Sequence, residues 1–540
     1  MNKISLFPRR VIICFIAFLL LMFFCVLRLY NLSGENTKIA SSVTNGYTIA
    51  LGKSRRTVFD CNLKSITNNT FKTYAAFSPT PEGVTAAGAL LSGERLNDVL
   101  KNLQAGKPAT AEIEKSAEEY RGVYFYEYPL SKADIVASQL IGYTNAESHG
   151  VCGIESAFDS ELYTENTNKL IFPTDGQGRF LQGTSIEFIC DNSAYTSGIM
   201  LTINSDFQAA VEEALSALNC GAAILEEVGT GEIKAMASAP HFNIADIESA
   251  LTNENSPMIN RALSAYNVGS VFKPCIAAAV LEDGRFANYT CNCTGRTTID
   301  GHTFKCHNLA GHGNVNLMDA LCFSCNSFFY NISQKIGGEI IYKTAKTLGF
   351  GNSVNIGGIE TARGNITALE KLKSNKTAVA NLAIGQGELL ASPVNLLPLY
   401  EAVANDGKYR LPTVIKGRVE SGKLKADSPA PVTQAFSAET AAKLKEYLFG
   451  VINSGTGKKA RPENVTAAGK TATAQTGWIK NGKKVQNSWF CGFFPYENPK
   501  YVAIILAETN EENPEAAAPV FAKIADSITA IETIQNSMKN

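Results

Sequence analysis

The sequence predicts an α+β protein: one antiparallel sheet flanked by helices, behind an N-terminal membrane anchor and a mixed, elongated domain. Three observations predict it. An unbroken apolar run opens the chain. Strand patterns lie at both ends of the segment after residue 195, with helical patterns between them. Asn481-Gly482 separates two strand-like runs as a hairpin turn would.

The apolar run extends from Val11 to Leu27, preceded by Lys3, Arg9 and Arg10 and closed by Arg28. Its length is at the short end of what spans a bilayer as a helix, and Arg10 and Arg28 can snorkel to the two interfaces. A cleaved signal peptide is the weaker reading, because the run exceeds an ordinary h-region and no A-x-A site follows. The flanking positive charge places the N-terminus in the cytoplasm and the remaining chain outside, as a single-pass protein of the cell membrane. Residues 1–30 are therefore read as cytoplasmic stub and anchor.

Residues 31–195 form the mixed domain. Short β-type runs such as Thr57-Val58-Phe59 alternate there with polar stretches rich in Asn, Ser and Thr, and no catalytic cluster stands out. Residues 196–540 form the main domain. Asn204 or Ser205 caps a helix to about Leu218, with Phe207, Val211 and Leu215 on one face. Ala222 to Leu225 and Glu232 to Ala237 read as strands joined across Val228-Gly229-Thr230-Gly231. A helix follows Ser270, and another runs from Pro393, capped by Ser392, to Asn405. Val465 to Trp478, Lys484 to Phe494 and Tyr501 to Ala507 form a meander. Val520, Phe521, Ile524 and Ile528 stripe a last helix.

Composition bounds the function. Hydrophobic content of 45% with 18% charged residues reads as globular. A formal net charge of -1 gives no electrostatic reason to expect nucleic acid as a partner. Thirteen cysteines are present, with Cys14 and Cys25 inside the anchor. Cys291, Cys293, Cys306, Cys322 and Cys325 cluster around His302, His307 and His312, but not at zinc-finger spacing. One disulfide, Cys293 to Cys306, is more plausible than a metal, and buried free thiols are the simplest reading. No metal and no cofactor is expected.

Three segments carry chemistry. In Gly269-Ser270-Val271-Phe272-Lys273-Pro274, serine and lysine three apart share a helix face, so the amine can reach the hydroxyl. Pro274 forces the helix to begin near Ser270, which puts that hydroxyl and its backbone N–H at the positive helix end. A desolvated lysine beside a second cation can lose its proton near neutrality and serve as base for the serine. Ser324-Cys325-Asn326, 54 residues beyond Ser270, offers a second hydroxyl and an amide that can hold a peptide. Gly469-Lys470-Thr471-Ala472-Thr473 supplies the second cation, hydroxyls for a carboxylate, and a strand edge for the substrate backbone. Taken alone, each segment also reads as a solvated helix face, a polar loop or a Lys/Thr strand; the set of three, in this order, is the signal.

That set resembles the serine–lysine pair, S-x-N triplet and K-T-G strand of penicillin-binding proteins and serine β-lactamases. Asn260-Arg261-Ala262, Tyr266 to Lys273, His312-Gly313, Ile384-Gly385-Gln386-Gly387-Glu388-Leu389 and Trp489-Phe490-Cys491-Gly492-Phe493 resemble class B penicillin-binding proteins in particular. More faintly, Arg55 to Asn62, Ile141 to Asn145 and Gly153-Ile154-Glu155 resemble that family's pedestal domain. The resemblance implies a penicillin-binding/β-lactamase-like transpeptidase fold over residues 196–540 and a peptidoglycan D,D-transpeptidase activity. Ser270 would be acylated by the penultimate D-alanine of a stem peptide, with Lys273 as general base. Ser324 would pass a proton to the leaving amine, and Lys470 would bias that relay. Asn326 would hold the donor peptide, and Thr471 and Thr473 its carboxylate. Backbone N–H groups of Ser270 and Thr473 would form the oxyanion hole. Implied partners are peptidoglycan stem peptides, β-lactams as inhibitors, and a membrane glycan polymerase of the shape, division or sporulation type.

Several positions depart from the family pattern. Ala472 stands where glycine is usual and places a methyl at the strand edge that a substrate or β-lactam approaches. Val268 replaces a proline, and Arg56, Cys61 and Leu63 replace Gly, Arg and Gly in the pedestal. The rival readings are a D,D-carboxypeptidase or β-lactamase-type hydrolase, and a non-catalytic β-lactam sensor or scaffold, which Ala472 keeps open. No E-x-x-L-N segment of class A β-lactamases lies between Asn326 and Lys470. No E-D-x-x-F-like motif of a glycosyltransferase lies in residues 31–195.

Overall fold

The structure, a computed structural model, describes residues 7–39, 46–114, 120–130, 135–181, 185–480 and 482–539. Its contacts divide the chain into two units: residues 1–53, 71–130 and 166–191, and residues 54–70, 131–165 and 192–540.

The first unit begins with a helix, Phe7–Ile39. Its stretch Val11–Arg28 has a mean hydropathy of 2.9 and is exposed throughout; among the described residues no other helix is long and apolar enough to cross a membrane. Two three-stranded sheets follow. In one, Thr70–Phe77 lies between Ala109–Glu112 and Val123–Leu130. Helices Pro81–Leu90 and Gly93–Gln104 pack on it through Ala86, Ala87, Val99 and Leu103 against Ala75 and Phe77. The other sheet joins Gly46–Arg55, Tyr163–Pro173 and Glu187–Ile189.

The second unit is built on a five-stranded antiparallel sheet. Its order is Glu232–Ala239, Gly221–Glu227, Tyr501–Asn510, Lys483–Phe494 and Ala468–Lys480. The inner strands are buried on both faces, which explains their near-continuous apolar runs. Ala223, Leu225, Ala503 and Ile505 meet helix Ser205–Leu215 through Phe207, Val211 and Leu215, and helix Ala517–Lys539 through Phe521, Ile524 and Ile528. The alternate residues Ala222, Ile224, Ile504 and Leu506 belong to the larger core with Val271, Phe272, Leu397 and Tyr400. The sheet is thus sandwiched between helical layers, as expected for this fold class.

Local chemistry sets the element ends. Asn204 Oδ1 accepts from the N–H groups of Asp206 and Phe207, and that helix ends at Leu215 rather than Leu218. Ser392 and Asn395 form a capping box at the start of Pro393–Ala404. The meander forms as its alternation predicts, with Ala472 opposite Trp489; Asn481 of its hairpin lies outside the described residues. Gly229 and Gly231, at φ of 81° and 72°, turn the chain between the first two strands. Residues 54–70 and 131–165 pack with this second unit. Thr57–Phe59 pairs in parallel with Gly198–Leu201, and the Arg55 guanidinium donates to Glu155 at 2.7 Å and Asp159 at 2.8 Å.

Candidate active site

Ser270 lies on a short turn. Gly269–Phe272 is a 3-10 turn that runs directly into helix Lys273–Asp283, with Pro274 in the helix's first turn. Gly269 sits at φ +66°, and its N–H donates to Gly385 O at 2.8 Å. A Cβ on Gly385 would lie 2.0 Å from Gly269 O, so both glycines are required for this close approach of two backbones. Below the turn, Tyr400 donates its hydroxyl to Val271 O at 2.9 Å. Beside it, Trp489 Nε1–H donates to Asn267 O at 3.0 Å. The serine therefore rides on a segment held from below and from the side.

Lys273 points inward and is 0% exposed. Its Nζ lies 2.8 Å from Ser324 O, 2.7 Å from Asn326 Oδ1 and 3.1 Å from Ser324 Oγ. The Phe329 ring lies 5.1 Å away. Burial, followed by the charge of Lys470, pushes the Lys273 ammonium well below its ordinary range. The first two motifs thus meet through one amine. Ser324 adopts φ +54°, a left-handed conformation uncommon for serine, in the turn just before helix Asn326–Ile336.

The third motif lies on the edge strand Ala468–Lys480. Side chains alternate along it: Lys470, Ala472 and Ala474 are buried, Thr471 is half-buried and Thr473 exposed. Burial pushes the Lys470 ammonium down to about 7. Its Nζ donates to Thr471 O at 3.1 Å. Thr471 Oγ1 lies 2.9 Å from Thr456 Oγ1, and Thr473 Oγ1 donates to Pro514 O at 2.8 Å. A cavity of about 250 Å³ is lined by Ser270, Ser324, Asn326, Thr471, Ala472 and Thr473, among others. Of the seven expected site residues, five therefore line one cavity with side chains or backbone, and the two lysines lie buried beside it.

Thr456 and Glu515, which the sequence does not mark, also line the cavity, as does His307, expected only as part of the Cys/His cluster. Thr456 had a usable signal. Ser454-Gly455-Thr456-Gly457 ends helix Ala438–Asn453, and a Cβ on Gly455 would lie 2.2 Å from Cys322 O, so this turn docks against the segment before Ser324.

The cysteines follow the free-thiol reading and overturn the disulfide. All thirteen are free thiols, so the Cys293–Cys306 disulfide is not formed. The sulfurs of Cys293 and Cys306 instead face His312 and Cys325, and the four ligand atoms lie within 4.8 Å of one another.

The penicillin binding protein transpeptidase domain matches residues 221–526, more than half of the chain. The chain belongs to that family. Stage V sporulation protein D of Bacillus subtilis is 26% identical over 471 residues, covering 83% of this chain and 68% of that protein. The peptidoglycan D,D-transpeptidase FtsI of Escherichia coli K12 is 24% identical over 414 residues, covering 74% of this chain and 66% of that protein. For peptidoglycan D,D-transpeptidase MrdA of Haemophilus influenzae the identity is 29%, over 61% of this chain and 56% of that protein. Among solved structures, the D,D-transpeptidase domain of a peptidoglycan glycosyltransferase from Eggerthella lenta superposes with a TM-score of 0.65. It shares 23% identity and covers 90% of this chain and 100% of its own. Penicillin binding protein 3 from Mycobacterium tuberculosis, complexed with aztreonam, gives 0.64 at 22% identity, covering 90% and 98%. At these identities the structural likeness establishes the shared fold.

Proposed function

We propose that the chain is a peptidoglycan D,D-transpeptidase that forms an acyl-enzyme on Ser270 and is acylated there by β-lactams. The carrying observation is the fully buried Lys273 amine, hydrogen-bonded to Ser324 and Asn326 one helical turn from Ser270. A neutral Lys273 takes the Ser270 hydroxyl proton as Oγ attacks the carbonyl carbon of the penultimate D-alanine. The oxyanion forms against the N–H groups of Ser270 and Thr473. As the peptide bond breaks, the leaving D-alanine nitrogen receives a proton through Ser324, whose Oγ lies 3.1 Å from Lys273 Nζ. Thr471 and Thr473 line the cavity where the donor's carboxylate would sit, with Lys470 supplying positive charge when protonated, and Asn326 holds the donor peptide. An amine from a second stem peptide then attacks the ester carbonyl, gives up a proton through the same groups, and frees Ser270.

The family membership and the names of the relatives support this reading, as does the site geometry. The apolar helix Phe7–Ile39 supports a single-pass anchor, its flanking positive charge supports a cytoplasmic N-terminus, and the family match over residues 221–526 supports a transpeptidase domain over 196–540 behind a pedestal region over 31–195. A membrane glycan polymerase is the partner that such an anchored cross-linking enzyme requires. The test is labelling by a fluorescent penicillin together with a stem-peptide cross-linking assay. Ser270→Ala is expected to lose both while unfolding at the wild-type temperature. A folded Ser270→Ala protein that labels at the wild-type rate overturns the assignment.

A further inference from the structure

The cavity around Ser270 holds a charged group that the acylation chemistry leaves unused. Among the described residues, Glu515 supplies the one carboxylate of its lining. Glu515 belongs to the strap Glu511-Glu512-Asn513-Pro514-Glu515-Ala516, which joins strand Tyr501–Asn510 to helix Ala517–Lys539. The backbone of this strap is tied along its length. Thr509 Oγ1 donates to Asn513 O at 3.1 Å, and Thr473 Oγ1 donates to Pro514 O at 2.8 Å. Ala517 N–H donates to Ser488 Oγ at 3.3 Å, and Ala518 N–H donates to Glu515 O at 3.1 Å. Ser488 and Ala518 line the same cavity. The main chain of Glu515 is thus fixed next to Thr473, while its half-exposed side chain keeps freedom to turn.

That side chain pairs with a cation. Lys459 Nζ lies 2.8 Å from Glu515 Oε2, and the two side chains are 65% and 42% exposed. Lys459 stands on the 3-10 turn Lys458–Ala460, just beyond Thr456, whose hydroxyl lies 2.9 Å from Thr471 Oγ1. The pair therefore lies at the threonine end of the cavity. An ion pair this exposed contributes little to stability and exchanges its partners readily. Glu512 on the same strap marks the contrast: it pairs with Lys483 at 2.8 Å and lies outside the lining. A carboxylate close to a helix start is favoured by the helix dipole wherever it points. That preference does not explain why Glu515 faces the cavity.

On the function proposed above, the charge that enters this end of the cavity changes sign during turnover. The donor brings a carboxylate to Thr471 and Thr473, and Lys459 offsets the repulsion that Glu515 exerts on it. Acylation of Ser270 releases that carboxylate with the leaving D-alanine. The next reactant is an amine, and it arrives from water as an ammonium. Lys459 suits the anion of the first step, and Glu515 suits the cation of the second.

We propose that Glu515 binds the acceptor: it takes the ammonium of the incoming stem peptide in exchange for Lys459 and holds it in the cavity that Ser270 lines. The inference rests on the transpeptidase reading. The bound ammonium gives one proton to water. The neutral amine then attacks the ester carbon, the new N–C bond forms as the C–O bond to Ser270 breaks, and the second amine proton passes through Ser324 to Ser270 Oγ. Glu515 takes no part in these bond changes and acts by placing the reactant.

The experiment reads how one acyl-enzyme divides between two products. The full chain, purified in detergent, receives an acyl-D-alanine thioester as donor. The acceptor is glycinamide, which carries an ammonium, or hydroxylamine, which is uncharged at neutral pH. Chromatography gives the ratio of aminolysed to hydrolysed product, and this ratio is independent of the acylation rate because both products come from the same ester. Glu515→Gln is expected to lower the glycinamide ratio about tenfold and the hydroxylamine ratio far less, with part of the loss recovered in Glu515→Asp. Lys459→Ala should raise the glycinamide ratio, since the competing cation is gone, whereas a pair that only braces the strap loses activity from either side. Glu512→Gln is the control and should match wild type with both acceptors. An unchanged glycinamide ratio in Glu515→Gln, an equal loss with both acceptors, or a matching loss in Lys459→Ala overturns the assignment of Glu515 and leaves Ser270 as nucleophile. Absence of any acyl-enzyme on Ser270 overturns the proposed function, and this inference with it.

Discussion

Replacing Ala472 by glycine asks whether the unusual methyl stands in the path of a ligand. Alternation along the edge strand puts Ala472 on the same side as the fully buried Lys470 and Ala474, opposite to Thr471 and Thr473. Ala472 is 5% exposed. A Cβ placed on Gly269 would lie 3.4 Å from the Ala472 Cβ and 3.1 Å from that of Ala474. The methyl thus packs toward the turn Gly269–Phe272, in the space that the missing side chain of Gly269 leaves. Removing it forfeits about 0.8 kcal/mol of burial, and glycine adds about 0.5–1 kcal/mol of backbone freedom to the unfolded chain. Ala472→Gly is therefore expected to destabilise the domain by about 1–2 kcal/mol. Its effect on acylation stays within tenfold, about 1.4 kcal/mol, because little ligand contact changes. Stopped-flow acylation by a fluorescent penicillin and thermal unfolding of both proteins give the two numbers. A glycine variant that acylates far more than tenfold faster, with unchanged stability, would refute this reasoning and place the methyl against the ligand. A wild type that never acylates, rescued by glycine, would mark a degenerate site and favour the scaffold reading.

Two further outcomes follow from other parts of the chain. Glu226 is fully buried and lies in hydrogen-bond contact with Glu401, whose carboxyl is pushed up to about 7 by burial; both are raised above the ordinary range. A carboxyl raised on folding stabilises most below its unfolded value and loses that contribution as pH climbs through the folded value, here from about 4.5 to about 7. Glu226→Gln should then raise the Tm at pH 8 by several degrees relative to wild type and leave it nearly unchanged at pH 5; an equal shift at both pH values contradicts the carboxyl pair. For topology, protease added to intact, wall-stripped cells is expected to digest the large domain, and digestion only after lysis would reverse the assigned orientation.

The fold was legible where it rests on local periodicity. Phe207, Val211 and Leu215 share a helix face whatever they pack against, and Ser392 caps a helix whatever follows it. The meander could be read from alternation and one turn. What could not be read arises between distant segments. Thr57–Phe59 joins a sheet by pairing with Gly198–Leu201, and Arg55 closes on Glu155, a hundred residues on; neither leaves a trace in local composition. The same holds for the cysteine cluster. Its four residues come from a strand, the end of a ribbon, a loop and a helix cap, so their spacing matches no finger pattern. Cys322-Phe323-Ser324-Cys325 even contains a C-x-x-C pair of which one member alone joins the cluster. The three motifs that meet at the cavity were legible for the opposite reason, since each is confined to a few residues whose types must sit on one turn or strand.

The two buried lysines show why these motifs belong together. Neither Lys273 nor Lys470 has a carboxylate within ion-pair distance among the described residues, and both are 0% exposed. An unpaired ammonium in such a place is costly, and the cost is relieved by loss of the proton rather than by a salt bridge. A neutral lysine amine has two N–H groups and one lone pair. At Lys273 the two N–H groups match the two carbonyl-type oxygens, Ser324 O at 2.8 Å and Asn326 Oδ1 at 2.7 Å. The lone pair is then free to accept from a hydroxyl, and Ser324 Oγ stands at 3.1 Å with Ser270 one turn away. On the proposed reading, that is the state a general base needs before substrate arrives. Ser324 must offer its carbonyl and its hydroxyl to the same nitrogen, and this double demand accounts for its left-handed backbone.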